Sequence, residues 1–268
     1  MNKIRLDIRL AELGLAESRS AAQRIIMAGS VRINGQVSLK PSESVNEIDI
    51  ITVDKPPPFV SRGGEKLEAA LLAFDVGDLK EKTCVDVGAS TGGFTDCLLQ
   101  HGAVKVFAID VGYGVLHWKL RQDARVISME RTNARYVEGF AEPIELVTID
   151  ASFISLKTIL PVVKKWLGSE KVDVIALIKP QFEAGRKDAA KGEGVIRDPV
   201  IHRRILGEIL EFAGEVGFQV AGLIKSPLTG PKGNIEFLIH LVNSTQIDTM
   251  THDWIGPLGL ETPLEEES

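Results

Sequence analysis

Cysteine, aromatic residues and long hydrophobic runs are all scarce in this chain of 268 residues. Cys84 and Cys97 are the only cysteines, and neither a Cys-x-x-Cys nor a His-Glu-x-x-His spacing occurs, so a disulfide framework and a metal site are not indicated. The longest aliphatic runs, such as 174–178, fall far short of the roughly 20 residues that span a bilayer. The first residues alternate charged and apolar side chains, unlike a signal peptide. We therefore expect a cytoplasmic protein with no membrane partner and no metal.

The overall composition is that of an ordinary folded protein, but its charge is unevenly distributed. Hydrophobic residues make up 44% and charged residues 25%, which excludes wholesale disorder and collagen-like structure. The net charge of -6 argues against an indiscriminately basic nucleic-acid binder. Even so, residues 1–40 carry seven Lys and Arg against three acids, whereas the residues after Val242 carry six acids and neither Lys nor Arg. We expect a basic N-terminal module and a disordered acidic tail over 243–268.

Two short helices are predicted near the N-terminus. Leu6, Leu10 and Leu13 recur at helical spacing and form one apolar face. A second helix follows, with Ser18 or Ser20 as its expected N-cap. Helices this short cannot bury a large core, so they belong to a small satellite domain.

A hairpin follows the helices. Asn-Gly at positions 34–35 tolerates the positive φ of a tight turn and would join strands at 31–33 and 36–39. The alternating apolar residues of 48–53 predict one more strand. The N-terminal module is therefore expected to be a small α+β domain.

Arginines recur along this module and are suited to binding phosphates. From charge alone, a solvated charged face explains them equally well. The order of a helix, a Ser-Arg-Ser helix and a Val-Arg-Ile-Asn-Gly hairpin resembles the S-four RNA-binding domain, named after a small-subunit ribosomal protein, over residues 1–55. The resemblance implies RNA binding, with Arg5, Arg9, Arg19, Arg24 and Arg32 as candidate contacts.

A larger domain is predicted after a proline-rich linker at 56–62, where consecutive prolines favour an extended, semi-rigid geometry. A helix is expected to begin near Glu65, and beyond it short apolar strands alternate with helical stretches. This alternation predicts a doubly wound, parallel α/β sheet over 63–242, with ligands at the carboxyl ends of the strands. The expected strands are Cys84–Val87, Val104–Ile109, Ile144–Ile149, Val172–Ile178, Val220–Ile224 and Ile235–Leu241.

A glycine-rich turn follows the first of these strands. Asp86 precedes it, and Asp110 ends the next strand, where a carboxylate can accept both ribose hydroxyls of a nucleoside. The turn lacks the Gly-x-Gly-x-x-Gly spacing of a dinucleotide site, and a carboxylate suits the cationic amino acid end of S-adenosylmethionine better than a diphosphate. An oxidoreductase of another cofactor class and a purely structural turn are the alternatives. The candidate cofactor residues are Asp86, Gly88, Ser90, Thr91, Gly92, Gly93, Phe94, Asp110 and Gly112, with Asn133 added by analogy.

Charged residues also stand at positions that a merely structural strand would not require. Asp150 ends one apolar run, Lys179 ends another before a proline that keeps it extended, and Glu236 lies in the last predicted strand. Lys66, in the first turn of the helix after the linker, completes the order Lys-Asp-Lys-Glu. Singly, each would be interpreted as a surface ion pair, but together on a methyl-donor fold they indicate a catalytic set.

That order resembles the FtsJ-like ribose 2'-O-methyltransferases, and the chain up to about Val242 resembles the TlyA family. The resemblance implies a Rossmann-like, S-adenosylmethionine-dependent methyltransferase sheet, mostly parallel with an antiparallel last strand. It also implies methylation of cytidine 2'-hydroxyls in ribosomal RNA or ribosomal subunits. The family carries a hemolysin name, for which this sequence offers no physical basis. The motifs that carry the resemblance are Val60–Leu67, Asp86–Phe94, Ile149–Phe153, Leu177–Glu183 and Gly233–Glu236.

Within this interpretation the four charged residues have distinct expected roles. A ribose hydroxyl is a poor nucleophile, so Lys179 is the candidate to accept or steer its proton. Asp150 and Glu236 would orient the two lysines, and Lys66 would stabilise the developing alkoxide. Further RNA contacts are expected from basic residues beside the linker and in the long segment 181–199, where a solvated loop is the alternative. These residues are Arg62, Arg186, Lys187 and Arg197.

Two further functions remain open alongside this one. A non-catalytic RNA-binding or ribosome-assembly factor would use the same fold as a scaffold, although the intact tetrad argues against it. Membrane lysis would require leakage of liposomes that survives the loss of Lys179 and Asp150.

Overall fold

The computed structural model describes residues 3–54, 57–168, 171–185, 192–243 and 252–260. The chain divides into two compact units, Met1–Pro57 and Pro58–Ser268.

The N-terminal unit packs two helices and short strands around six buried apolar side chains. Strands β1 and β4 pair antiparallel, and β2 lies between β3 and β5 in a second antiparallel sheet. The elements are β1 (Ile4–Arg5), α1 (Leu6–Glu12), α2 (Arg19–Met27), β2 (Val31–Ile33), β3 (Gln36–Ser38), β4 (Ser44–Val45) and β5 (Ile51–Val53). The buried residues are Leu6, Leu10, Ala22, Ile26, Val31 and Val45.

Local sequence signals in this unit mostly hold. Ser18, one of the two predicted N-caps, caps α2 by accepting a hydrogen bond from the amide of Ala21. The last strand covers only 51–53, because the Ile48 and Ile50 side chains are exposed and are not held against a core. The Asn-Gly turn between β2 and β3 has the positive φ angles that were predicted, 50° and 84°.

The larger unit is built on one seven-stranded sheet in the order β11-β12-β10-β9-β6-β7-β8. Every strand runs in the same direction except β12, which pairs antiparallel with both neighbours, so the predicted mostly parallel sheet with an antiparallel last strand is confirmed. The strands are β6 (Thr83–Val87), β7 (Lys105–Ile109), β8 (Val126–Met129), β9 (Leu146–Ile149), β10 (Val172–Ile178), β11 (Phe218–Lys225) and β12 (Phe237–Asn243).

Helices cover both faces of this sheet. They are α3 (Gly63–Ala73), α4 (Gly93–Gln100), α5 (Trp118–Arg121), α6 (Leu156–Trp166), α7 (Pro180–Glu183) and α8 (Pro199–Glu215), with short 3-10 turns at Ala134–Tyr136, Pro231–Gly233 and Gly256–Leu258. Alternate residues of β10 enter opposite cores: Val174 and Ala176 pack with α6 and α8, whereas Ile175 and Leu177 pack with α3 and α4. A strand covered on both faces reads as a continuous apolar run, which is why the sequence located β10 so well.

The C-terminal segment contributes to the larger core where it is described. Within 252–260, the side chains of Trp254, Ile255, Leu258 and Leu260 pack against the layer that holds α6 and α8. The acidic composition of 243–268 predicted a disordered tail and not this contact, because the apolar residues of the segment follow neither a helical nor an alternating spacing.

Candidate active site

The sheet brings three of the four predicted catalytic residues to one edge. Asp150 directly follows β9, and Lys179 directly follows β10. Glu236 immediately precedes β12, whose first residue pairs with the last residue of β10, Ile178. The predicted strand 235–241 therefore began two residues too early, and Glu236 lies at the strand's entrance. Because β12 runs antiparallel, its N-terminal end meets the carboxyl ends of its neighbours.

The four charged side chains form two close ion pairs in this region. Lys66 Nζ, from the first turn of α3, lies 2.6 Å from Glu236 Oε2. Lys179 Nζ lies 2.6 Å from Asp150 Oδ1 and donates a hydrogen bond of 2.9 Å to Ser152 Oγ. Both lysines and Glu236 are buried. Buried charges are costly unless paired, so this pairing keeps two ammonium groups in a site that largely excludes water.

All four residues line one cavity of about 370 Å³. Gly230 is needed on its wall, because a Cβ at this position would collide with Glu236 Oε1. No residue in the described part of the chain donates a hydrogen bond to that oxygen. Glu236 therefore holds Lys66 with one oxygen, while its other oxygen is buried without a donor from the described residues.

The glycine-rich turn after β6 supplies another wall of this cavity. Gly88 has a φ of 86°, and a Cβ there would lie 2.6 Å from the carbonyl oxygen of Asp150. Only glycine lets the turn approach β9 this closely. Gly92 has a structural role, since a side chain there would collide with Leu120. Of the predicted cofactor residues, Gly88, Ser90, Thr91, Gly93 and Phe94 line the cavity.

A second cavity, of about 430 Å³, adjoins the first and shares Gly88, Ser90, Asp150 and Ser152 with it. Asp110 and Asn133, from the ends of β7 and β8, lie on its far side. The carboxylate of Asp110 accepts hydrogen bonds from the amides of Ser90, at 2.8 Å, and Gly112, at 2.7 Å. The two cavities together suit an elongated ligand that carries a nucleoside at one end.

Asp86 does not occupy the position that the sequence argument gave it. Its carboxylate is fully buried, accepts hydrogen bonds from Thr95 Oγ1 (2.6 Å) and Thr148 Oγ1 (3.2 Å), and lines neither of the two cavities. Burial raises the pKa of Asp86 to about 7, and the nearby charge of Asp150 adds to the shift. Asp86 therefore supports the glycine-rich turn from its buried side. The spacing of acids along the strands does not distinguish a buried carboxylate from one that lines a cavity.

The raised pKa of Asp86 predicts a specific pH dependence of stability. The folded protein binds a proton at this carboxyl up to about pH 7, whereas the unfolded chain releases it near pH 4, so stability falls as the pH rises between these values. From pH 5 to 7.5 we expect a loss of roughly 2–3 kcal/mol attributable to Asp86. Asp86→Asn should remove this part of the slope in urea unfolding experiments. Asp75→Asn, at an exposed residue with φ of 56°, is the control; equal slopes in the wild type and Asp86→Asn would contradict the assignment.

The fold and the motifs agree with comparisons to known proteins. The family model for FtsJ-like methyltransferases matches residues 59–243, which is most of the chain. The chain belongs to the FtsJ-like methyltransferase family. The pattern described as S4 domain matches residues 4–51 of the N-terminal unit.

The sequence of this FtsJ-like methyltransferase aligns with those of its relatives over most of their length. The relatives include TlyA proteins, so the predicted resemblance to the TlyA family is confirmed. It is 50% identical to "Putative rRNA methyltransferase YqxC" of Bacillus subtilis over 89% of this chain and 85% of that protein. It is 43% identical to "16S/23S rRNA (cytidine-2'-O)-methyltransferase TlyA" of Mycobacterium tuberculosis over 91% of each. Its structure matches "Putative hemolysin from Streptococcus thermophilus" with a TM-score of 0.69 and 45% identity, over 91% of this chain and 90% of that one.

Four of the five candidate RNA-binding arginines in the methyltransferase's N-terminal unit are engaged in ion pairs. Arg5 and Arg19 both bind the buried carboxylate of Asp7, yet their side chains remain 43% and 55% exposed. Arg9 lies 3.4 Å from Glu12, Arg32 binds Asp54, and Arg24 is exposed. In the larger unit Arg62 and Arg197 are exposed, and Arg62 also lines the first cavity. Arg186 and Lys187 lie outside the described residues.

Sequence reasoning missed several residues that shape the site. Ser152 lies in the Ile149–Phe153 motif, but the sequence did not predict that its hydroxyl oxygen accepts a hydrogen bond from Lys179. Gly230 and Gln181 were not singled out. The sequence held a signal for Ser152, because it lies two residues after Asp150, the acid that ends a predicted strand. It held none for Gly230, because the close approach of Gly230 to the Glu236 side chain depends on how the chain turns back between them.

Proposed function

We propose that this protein transfers the methyl group of S-adenosylmethionine to the 2'-hydroxyl of a cytidine in ribosomal RNA. The observation that carries the proposal is the convergence of two lysine–carboxylate pairs on one cavity beside the glycine-rich turn. The methyltransferase family supports the use of this cofactor. The relatives' names support the ribosomal substrate and the cytidine ribose.

The residues of the two adjoining cavities fit this cofactor. Asp110 would bind the ribose hydroxyls and Asn133 would lie by the adenine, while the turn at Gly88–Gly93 would border the amino acid end. When bound, S-adenosylmethionine supplies a methyl group on a positively charged sulfur. The chain's own task is then to place a ribose hydroxyl in line with that methyl group and to manage its proton.

Lys179 is the residue best placed to manage that proton. Its ammonium group is held between Asp150 and Ser152 on the wall that both cavities share, so the position of Nζ is fixed before substrate arrives. Lys66 faces the same cavity from α3, held by one oxygen of Glu236. A second cation at this position favours the developing alkoxide. Asp150 and Glu236 orient the lysines.

The N-terminal unit would bind RNA through its half-exposed arginines. Fixing Arg5 and Arg19 on Asp7 lowers the conformational entropy that each would lose on meeting a phosphate, while leaving donor groups accessible. Such contacts position the RNA without reading its sequence. No helix in the described ranges combines the length and apolar character needed to cross a membrane.

The test supplies methyl-labelled S-adenosylmethionine together with separate small and large ribosomal subunits. The RNA is digested to nucleosides, and the label is located by mass spectrometry. We expect the label on the ribose of cytidine. Label on a base would contradict the assigned chemistry, and RNA binding without transfer would favour a non-catalytic RNA-binding factor.

A further inference from the structure

A third cavity, of about 380 Å³, opens on the other side of the two ion pairs. It shares Ser152, Lys179 and Glu236 with the first cavity, so the tetrad lies at the boundary between them. Nothing in the assignment of cofactor or catalytic roles uses this space. A group bound there would lie next to Lys179 and beside both of the other cavities, since the third cavity also shares Ser152 and Phe153 with the second.

The walls of this third cavity suit a flat ring. The rings of Phe153 and Phe182 lie 5.0 Å apart, centroid to centroid, with an interplanar angle of 46°. Phe153 is 90% exposed and has a φ of 64°. A phenylalanine in the left-handed region is strained, and strain of this kind is concentrated at ligand sites. The cavity volume is ample for a nucleobase, which has two apolar faces and a polar edge.

The polar edge of such a base would meet Gln181. Gln181 is the second residue of the short helix α7, so its position is coupled to that of Lys179 through Pro180. Its Oε1 atom is buried, and no residue in the described part of the chain donates a hydrogen bond to it. A buried acceptor without a donor is costly and rare, so a turn of the Gln181 amide that brings Oε1 to a ligand donor in the cavity would be favourable.

We propose that the third cavity holds the base of the target nucleotide and that Gln181 Oε1 accepts a hydrogen bond from the exocyclic amino group of cytosine. The inference rests on the proposed function and extends it to the choice of base. Cytosine presents an amino donor at the ring position where uracil presents a carbonyl acceptor. With Gln181 Oε1 turned towards the base, uracil would place two acceptors face to face in a buried site, so we expect Gln181 to favour cytidine over uridine.

The first experiment uses the wild-type protein and altered RNA. Once the methylated nucleotide has been mapped, subunits are reconstituted from RNA carrying cytosine, uracil or pyrimidin-2-one, which lacks the amino group, at that position. We expect initial rates at least about 10-fold lower with either replacement, since a site built to bind a hydrogen-bonding group rejects analogues that lack it. Equal rates for cytosine and pyrimidin-2-one would overturn the inference.

The second experiment varies the protein on the same RNAs. Gln181→Met keeps the side chain's length but removes the acceptor, and should lower the ratio of cytosine to uracil rates by about 10-fold. Gln181→Glu keeps an acceptor and should retain the ratio. Gln122→Met, at an exposed residue of the same unit, is the control. An unchanged ratio in Gln181→Met, or a ratio lost equally in Gln181→Glu, would overturn the acceptor assignment.

Failure of this inference and failure of the proposed function are distinguishable. If the wild type places no label on ribose, the proposed function fails. If it labels the ribose of a cytidine but the base analogues react alike, only the role of Gln181 fails. S-adenosylmethionine binding by each variant, measured by calorimetry, shows whether its fold is intact.

Discussion

Replacing Lys179 with alanine should reduce methyl transfer at least about 100-fold, the lower range for loss of a general acid or base. The reason is positional, since Lys179 Nζ lies between Asp150 and Ser152 on the boundary between the cofactor and base cavities. The measurement is the single-turnover rate of label transfer to ribosomal subunits, with S-adenosylmethionine affinity measured in parallel. We expect that affinity to change by no more than a few-fold, because Asp150 is 23% exposed and can be hydrated when its partner is removed.

The matched control for this experiment is Lys165→Ala. Lys165 lies on the exposed side of α6, away from the cavities, and its loss should leave both rate and affinity unchanged. Near-normal transfer by Lys179→Ala with unchanged cofactor binding would show that another group handles the proton. A loss of transfer that accompanies loss of cofactor binding would instead place Lys179 in the cofactor's site.

Replacing Asp7 with alanine should unfold the N-terminal unit while the larger unit stays folded. The Asp7 carboxylate, in α1, is fully buried and accepts hydrogen bonds from Arg5 of β1 and from Arg19 and Gln23 of α2. Losing this network should cost roughly 2–4 kcal/mol, since hydrogen bonds to charged groups contribute about 1.5–3 kcal/mol each before the freed arginines are rehydrated. A core of six buried apolar residues has little stability to spare.

Hydrogen exchange on the full-length protein measures this effect. Peptides from residues 3–54 should lose protection in Asp7→Ala, while those from the seven-stranded sheet keep it, and RNA binding should fall with S-adenosylmethionine binding unchanged. Glu12→Gln is the control, because its exposed pair with Arg9 at 3.4 Å should contribute little. Full protection of residues 3–54 in Asp7→Ala would refute the structural role of this carboxylate.

The same network makes the N-terminal unit sensitive to acid. The hydrogen bond from Arg5, together with those from Gln23 and Arg19, holds the pKa of Asp7 well below its usual range. A carboxyl with a lowered folded pKa stabilises the fold fully above its unfolded pKa, near 4, and loses that contribution as the pH falls further. Protection of residues 3–54 should therefore decrease below about pH 4 in the wild type.

Strands that are buried on both faces were the elements that the sequence predicted best. Strand β10, covered on both faces, matched its predicted range of 172–178, whereas β8 was not predicted. Strand β8 lies at the sheet's edge with half-exposed side chains, so its four residues have neither a continuous apolar run nor a clear alternation. Ser18 caps α2, and Gln23, which would complete a capping box with Ser20, instead donates a hydrogen bond to Asp7.

The sequence predicted which four charged residues form the candidate site, but not which acid forms an ion pair with which lysine. Lys66, Asp150, Lys179 and Glu236 were identified as a set, yet which acid holds which lysine depends on the path of α3 and the direction of β12. Asp86 and Asp110 looked alike as strand-end acids. Only the structure separates the buried one, bonded to two threonines, from the one on a cavity wall.

The antiparallel direction of β12 also determines at which rim of the sheet the chain leaves the strand that follows Glu236. The strand begins beside Lys179 and ends at Asn243, which pairs with the first residue of β10, so it exits at the opposite rim of the sheet, about 20 Å from the reaction centre. The segment after Asn243 is therefore attached at the rim opposite Lys179 and Glu236. Substitutions in this segment that keep the core contacts of Trp254, Ile255, Leu258 and Leu260 should leave the geometry of the two ion pairs unchanged.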